Sequence, residues 1–453
     1  MFTLEEIIIA TRGKLIRGKP QDKLKGVSTD TRRIKSGQVF LALKGNNFNG
    51  HNFIDCAVKS GAACIIAESA AGLKEPCGPA LVKVKDTTLA LGDLARFKRN
   101  NFNKPVIAVS GSNGKTTVKD MIAWILSADS RVLKTEGTRN NQVGLPQTLI
   151  QLDKKHDFAV VEIGTNHFGE VDYLAAIARP NIAVLTNVGP SHLEFLKDLR
   201  GVFKEKSALL NNLSHPSIAL INADDQYLSG LIKRARNTSH VFSYGIKQKS
   251  DFSAAKIKLE EGRLRFQFNR KFDFELPALG AHNVYNALAA IAVGRILGIG
   301  LKTIRRRLSE FDFPKGRLNL IEVNGVRFID DTYNSNPLSL DKALAAFKSM
   351  KCRGKKILIM GDMLELGEKK ELLHRSFAGS ITNTCDVLVT VGSLAALAAE
   401  SARAAGFKNK NIFCCATSQE ARELLFNRIS PSAKDVILVK GSRSMKMEEV
   451  FKV

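Results

Sequence analysis

The sequence has no uninterrupted apolar run near the ~20 residues that a membrane-spanning helix requires. Its most apolar helical stretch, NALAAIAVGRILGIG, is broken by Arg295. The N-terminus, MFTLEEIIIATRGK, carries Glu5 and Glu6 where an export signal carries positive charge. These absences lead to the expectation of a cytoplasmic chain without an integral membrane segment. The cysteines, at 56, 64, 77, 352, 385, 414 and 415, are odd in number and form no C-x-x-C pair. That argues against a disulfide framework and a zinc site, and most are expected to be buried thiols acting as small apolar groups. The histidines include no H-E-x-x-H. Repeats and low-complexity segments are missing as well.

Acidic residues are few: 44 against 68 Lys and Arg, a net charge of +24. A basic surface favours anionic partners, either nucleic acid or phosphorylated and carboxylated small molecules. The densest basic run, IRRRL at 304–308, falls in an amphipathic helical pattern and reads as a solvated face. Aromatic and basic residues do not interleave as they do in single-strand binders, so no nucleic-acid partner is expected.

What remains is an ordinary soluble enzyme composition: 453 residues, 44% hydrophobic and 25% charged. Three textures divide it. Residues 1–85 mix short strand-like runs (VFLAL, CIIAE, ALVKV) with glycine turns. Residues 86–312 alternate buried-strand runs (VIAVS, FAVVEIG, IAVLTNVG, SIALINADD) with helical patterns, and DFSAAKIKLEEGRLRFQFNRKFDFELPALG adds antiparallel hairpins. After the linker FPKGRL, residues 313–453 repeat the alternation (RFIDDTY, KILIMGDM, VLVTVG, VILVKGS). The fold class is α/β in three domains: a small mixed α/β domain, a central P-loop ATPase-like domain with a mainly parallel sheet, and a Rossmann-like C-terminal domain. Ligands are expected beyond the strand C-termini.

VIAVSGSNGKTTVKD, 106–120, reads as strand, phosphate-cradling turn and helix start. The P-loop pattern G-x-x-x-x-G-K-[ST] would place a glycine at position 109, which is Val. Even so, Gly111 and Gly114 permit close backbone approach, and the N–H groups from Gly111 through Ser112 and Asn113 to Thr117 can hold phosphate oxygens. Lys115 can reach the β- and γ-phosphates, and Thr116 can offer its hydroxyl to Mg²⁺. Two later strand runs end in VVEIGTNHFGE, with Glu162, and TNVGPSHLEFL, with His192. A strand-end carboxylate is as often structural as functional, and a single His is more often a structural hydrogen-bonder. The phosphate loop upstream favours the functional reading of both Glu162 and His192, because a hard cation bridging phosphates needs oxygen ligands, and a His among them is unusual and therefore informative.

At this point the chain resembles the ATP-dependent Mur ligases of peptidoglycan synthesis, whose loop is the shorter G-x-x-G-K-[ST]. STDTRRIKSGQVFLALKGNNFNGHNF, TRNNQVGLPQTL, GAHNVYNALAA, KGRL, DDTYNSNP, GDMLELGE and VKGSRSMKMEEV follow in family order over nearly the full chain. The last three are similar to the branch that adds D-alanyl-D-alanine; the D-N-P-R motif of the sibling that adds the diamino acid is absent. The resemblance implies ATP-driven amide-bond formation through an acyl phosphate, on UDP-N-acetylmuramoyl-tripeptide and D-alanyl-D-alanine. It implies ATP and Mg²⁺ in two sites, a monomer, a UDP-sugar-binding domain at 1–85, and a domain at 313–453 that closes on ATP and binds the dipeptide.

Residue by residue, the resemblance makes Gly111–Thr117 the ATP loop. Glu162, His192 and Thr116 become Mg²⁺ ligands. Lys206 becomes the lysine carried as a carbamate that bridges to metal, with Lys115, Lys206 and His192 catalytic. Lys206 rather than Lys204 keeps the spacing from His192 without a gap, although Ser207 and Ala208 stand where relatives often have Gly-Glu. Without a carbamate, the context of Lys206 reads as a solvated helix residue. Asn283 and Asn286 fall at nucleotide-contacting positions, and Arg317 and Asp331 reach the nucleotide on closure. Taken singly, these residues read as helix-surface amides, a linker arginine and a strand-end cap. Ser28, Thr29, Asp30 and Arg32 fall on the uridine-diphosphate side, or form a plain polar turn, and Asn140 and Asn141 on a loop facing that substrate. Two alternatives stay open: a relative adding the third residue, and a P-loop ATPase acting on nucleic acid.

Overall fold

A computed structural model describes residues 1–45, 48–69, 78–235, 239–260 and 262–452. At its centre is a nine-stranded sheet. Its order is Val132–Lys134, Phe158–Glu162, Val106–Ser110, Ile182–Leu185, Ile218–Asn222, His240–Gly245, Phe252–Glu260, Arg263–Phe268 and Phe272–Leu276. The pairings are parallel as far as Phe252–Glu260, and the last three strands form antiparallel hairpins. Strands covered on both faces read as continuous β-branched runs, and all five residues of VIAVS are buried accordingly.

Helices Lys115–Leu126 and His282–Ile296 pack together on one face through Val118, Ile122, Leu288 and Ile291. On the other face, helices Thr87–Asn100 and Glu170–Ala178 join a core that continues into a five-stranded N-terminal sheet through Val39, Ile66 and Val82. The central sheet and the N-terminal sheet therefore share one hydrophobic interior.

A third sheet has six strands in the order Asn319–Val323, Val326–Asp331, Val436–Lys440, Lys356–Gly361, Val387–Val391 and Ile412–Cys415. Only its first strand is antiparallel. Its two faces carry separate apolar clusters, one of which includes Leu279 from the central segment. Of the short strands here, Asn319–Val323 and Ile412–Cys415 were not apparent from pattern, because their residues are only half-buried or exposed.

In the central sheet the chain first crosses from Val106–Ser110 toward one edge, and from Ile182–Leu185 onward it continues toward the other. The crevice beyond the C-terminal ends of these two strands is the topological switch point, where ligands of open α/β sheets bind. No helix among the described residues is long and apolar enough to cross a membrane.

The cysteine expectation needs correction. Of the six described, Cys64 and Cys385 are buried, while Cys56 and Cys414 are exposed and Cys352 and Cys415 lie between. Cys77 lies outside the described residues. The exposed ones sit on the outer turns of a helix and an edge strand, where no neighbour covers them. The IRRRL run is in helix Leu301–Ser309, with Ile304 and Leu308 buried and Arg305 and Arg306 exposed. Arg307 departs from the solvated-face reading: its guanidinium lies 3.3 Å over the Trp124 ring.

Candidate active site

The loop at the switch point is held by its glycines and by the neighbouring strand end. Gly111 and Gly114 have φ of +143° and +84°. A Cβ on Gly111 would collide with Thr186, and one on Gly114 would lie 2.5 Å from Asn286 Oδ1. Val109 lies two residues before Gly111, buried inside the strand, where a glycine would only weaken packing. The loop backbone is further pinned by Asn187 Oδ1, which accepts from Asn113 N at 2.9 Å, and by Asn113 O, which accepts from Thr186 Oγ1 at 2.7 Å. Ser112 Oγ donates to Gly189 O and accepts from Gly189 N and Ser191 Oγ, each at 3.0 Å. The turn that leads to His192 is thereby tied to the loop.

Sheet register places the carboxylate. Glu162 pairs with Val109, so its side chain reaches the start of the loop. It is 1% exposed. Oε1 accepts from Asn140 Nδ2 at 2.7 Å, whereas Oε2 has no hydrogen-bond partner. Lys206, on helix Leu199–Ser207, is likewise 1% exposed, and its Nζ has no partner. The solvated-lysine reading of the sequence is overturned: one face of that helix turns Val202, Glu205 and Lys206 inward. A buried polar atom left unpaired costs about 1–3 kcal/mol, more if charged, so two that act on each other electrostatically mark a place kept for something else. Burial first, and then the neighbouring Lys115 ammonium, hold the Lys206 pKa well below the usual lysine range. Burial also lowers that of Lys115, with Glu162 opposing and Arg317 adding to the shift. Lys115, Glu162, Lys206 and Arg317 therefore share one electrostatic environment.

Lys115 Nζ donates to Gly111 O at 2.8 Å, folding over the loop. Asn283 and Asn286 are buried beside it, not on a helix surface: Asn286 Nδ2 donates to Asn283 Oδ1 at 2.9 Å. From the bend that leads into the third sheet, Arg317 stacks 3.7 Å over Tyr333 and donates to Thr116 Oγ1 at 3.3 Å. Asp331 pairs with buried Lys440 at 2.6 Å. Burial raises the Asp331 pKa and lowers that of Lys440, and their attraction opposes both shifts.

His192 sits at φ +53°, its Nδ1 2.6 Å from Glu365 Oε2. No hydrogen bond or ion pair among the described residues links it to Glu162 or Lys206, and they contain no ready-made group of three His, Cys, Asp or Glu ligands. The residues nonetheless suit a hard cation. Glu162 Oε2 and the Thr116 hydroxyl are oxygen donors beside the loop, and a carboxylate on Nδ1 would orient the other His192 nitrogen for a metal.

The expected UDP-sugar face is different. Arg32 donates twice to Asp30, at 2.9 and 2.8 Å, on the surface. Ser28 Oγ donates to Asp30 O, and Thr29 Oγ1 accepts from Gln147 Nε2 at 2.7 Å, joining the turn to helix Gly144–Leu149. Asn141 Oδ1 accepts from Gly144 N, the first residue of that helix, at 2.9 Å.

Several residues at the centre escaped sequence reasoning. Thr135 Oγ1 accepts from Glu162 N, and Thr135 O accepts from fully buried Lys119. Glu205 accepts from Gly169 N and Val171 N at 2.8 and 2.7 Å, anchoring the Lys206 helix. Tyr333 and Asn336 lie inside DDTYNSNP, in which only Asp331 has a role assigned from sequence. For Lys119, the signal was its place four residues after Lys115 on the same helix.

A shortened P-loop at the switch point of a parallel sheet, flanked by a buried carboxylate, a buried lysine and basic groups from a second α/β sheet, defines a nucleotide-dependent enzyme of the ligase class. Family models agree segment by segment. The Mur ligase family catalytic domain matches residues 23–99, the Mur ligase middle domain 109–294 and the Mur ligase glutamate ligase domain 316–443. The chain belongs to the Mur ligase family. It is 34% identical to UDP-N-acetylmuramoyl-tripeptide–D-alanyl-D-alanine ligase of Bacillus subtilis, over 99% of this chain and 97% of that protein. Among solved structures, MurF from Acinetobacter baumannii superposes with a TM-score of 0.90 at 34% identity, covering 99% of this chain and 97% of the other. MurF from Thermotoga maritima, in complex with ADP, gives 0.82 at 29%, covering 94% and 96%.

Proposed function

We propose that the chain is an ATP-dependent ligase that joins D-alanyl-D-alanine to UDP-N-acetylmuramoyl-tripeptide, making the pentapeptide precursor of peptidoglycan. Relatives named for this reaction span nearly the whole chain, which favours it over addition of a single third residue. The observation that carries the chemistry is that Glu162 Oε2 and Lys206 Nζ are both buried without partners and share one electrostatic environment with Lys115 of the phosphate loop.

The tripeptide's terminal carboxylate oxygen attacks the γ-phosphorus of ATP, the bond to ADP breaks, and an acyl phosphate forms. The dipeptide amine then adds to the acyl carbon. The tetrahedral intermediate collapses with loss of inorganic phosphate, which takes up the amine proton. Both steps bring anions together, so fixed positive charge is what the protein must supply. Lys115 serves the β- and γ-phosphates, and Arg317 approaches from the bend that leads into the third sheet. Asn283 and Asn286 line the nucleotide side, and Asp331 anchors the turn that carries Tyr333. Mg²⁺, held in two sites by Thr116, Glu162, His192 and carbamylated Lys206, would neutralise phosphate charge. Lys206 suits carbamylation because its buried amine is held toward the neutral, nucleophilic form, and a carbamate would replace an unpaired amine with an anion facing Lys115. Ser28, Thr29, Asp30, Arg32, Asn140 and Asn141 serve the UDP-sugar side. The working units are 1–85, 86–312 and 313–453, acting as a cytoplasmic monomer.

The test is a reaction with each component omitted in turn. Phosphate release and pentapeptide mass should require UDP-tripeptide, D-alanyl-D-alanine, ATP and Mg²⁺ together. Robust turnover with a single amino acid in place of the dipeptide would refute the assignment.

A further inference from the structure

We propose that Asn336 is a positioning residue that latches the third sheet's segment onto the ATP loop through Asn113. The two side chains form a reciprocal amide pair: Asn336 Nδ2 donates to Asn113 Oδ1 at 2.9 Å, and Asn113 Nδ2 donates to Asn336 Oδ1 at 3.3 Å. Such a pair needs an amide on both sides, because each partner must donate and accept at once.

Neither side chain is free to swing. The Asn113 backbone is held by Asn187 and Thr186, which fixes where its amide points. Asn336 is the N-cap of helix Pro337–Ser349, its Oδ1 accepting from Ser339 N at 2.9 Å. Its oxygen thus serves both the cap and the loop, while its nitrogen serves the loop alone. Next to it, Leu338 packs over Gly189, where a Cβ would lie 2.7 Å from its Cδ2.

The same short turn controls the other contact. Tyr333 supports the Arg317 guanidinium that reaches Thr116, and Gly316, at φ +74°, leaves room for the Tyr333 backbone. One turn, Asp331 to Asn336, therefore carries Asn336 to the loop directly and, through Tyr333, supports the Arg317 contact with Thr116. Breaking the amide pair lowers the population of the docked arrangement, and a ligand that binds that arrangement loses apparent affinity in proportion.

This inference rests on the ligase reading only for its kinetic consequences, so its primary test uses nucleotide alone. Asn336→Ser keeps a good N-cap but is too short to reach Asn113. Asn336→Asp keeps the cap oxygen but removes the donated hydrogen bond. Calorimetric titration with ADP and Mg²⁺ should show about tenfold weaker binding for both variants, the scale of one or two hydrogen bonds. Their melting temperatures should stay within about 2 °C of the parent. In turnover, KM for ATP and for the dipeptide should rise while KM for the UDP-tripeptide stays constant. Unchanged ADP affinity in both variants, or a lowered melting temperature with unchanged affinity, would overturn the latch and leave Asn336 as a helix cap only. A parent protein that binds ADP yet makes no pentapeptide would refute the ligase reading without touching this result.

Discussion

The pocket at the phosphate loop and the surface turn at 28–32 solve opposite electrostatic problems. In the pocket, Glu162 and Lys206 come from different elements, are buried, and leave one oxygen and one nitrogen unpaired. In the turn, Asp30 and Arg32 are neighbours that satisfy each other, and the guanidinium holds the Asp30 pKa down at about 2. A site that must stabilise charge passing between reactants keeps its own charges uncommitted and accepts the folding cost. A surface turn whose charges satisfy each other carries no such cost.

This contrast orders the expected effects of mutation. The largest is at the loop: Lys115→Ala should reduce turnover by about 10³-fold while circular dichroism and melting temperature remain those of the parent. Near-normal activity would remove the loop from the chemistry. Next, Lys206→Ala should lose about 10²-fold and recover part of it in the presence of a short carboxylic acid that can stand in for the carbamate. Full activity without any additive would exclude an essential role.

The same residue sharpens the comparison from the stability side. In metal-free, carbon-dioxide-depleted buffer, where the amine is free, Lys206→Met fills the space with apolar atoms and should stabilise the protein by about 1–3 kcal/mol in denaturant titrations near neutral pH, while abolishing turnover in the complete assay. Because the folded pKa is lowered, the unfolded chain binds the extra proton. The penalty is therefore full below the folded pKa and fades as pH rises toward the ordinary lysine range. The advantage of Lys206→Met should shrink over that rise, and an advantage independent of pH would contradict the buried-amine account. The smallest effect belongs to the turn. Arg32→Ala should raise KM for the UDP-tripeptide by no more than about fivefold, with kcat unchanged. A fall in kcat would place the turn in the chemistry and dissolve the contrast.

Much of this was legible in the sequence, for identifiable reasons. Buried parallel strands announce themselves as runs such as VIAVS and VILVK, and a glycine-lysine turn after one of them has few other uses. The edge strand Ile412–Cys415 was not legible, since an edge is set by which neighbour it pairs with. The burial of Lys206 was hidden too, because its helix carries Lys204, Glu205 and Lys206 in a row, and only tertiary packing decides which of them turns inward. The Asn113–Asn336 pair spans 223 residues of sequence, and no local pattern encodes such a contact.

The account stands or falls on what the buried amine of Lys206 carries. The direct measurement is ¹³C NMR of the protein equilibrated with ¹³C-bicarbonate and Mg²⁺. The account predicts a single carbamate resonance in the parent protein that disappears in Lys206→Ala. Absence of that resonance in a parent protein that turns over at full rate in carbon-dioxide-depleted buffer would contradict it.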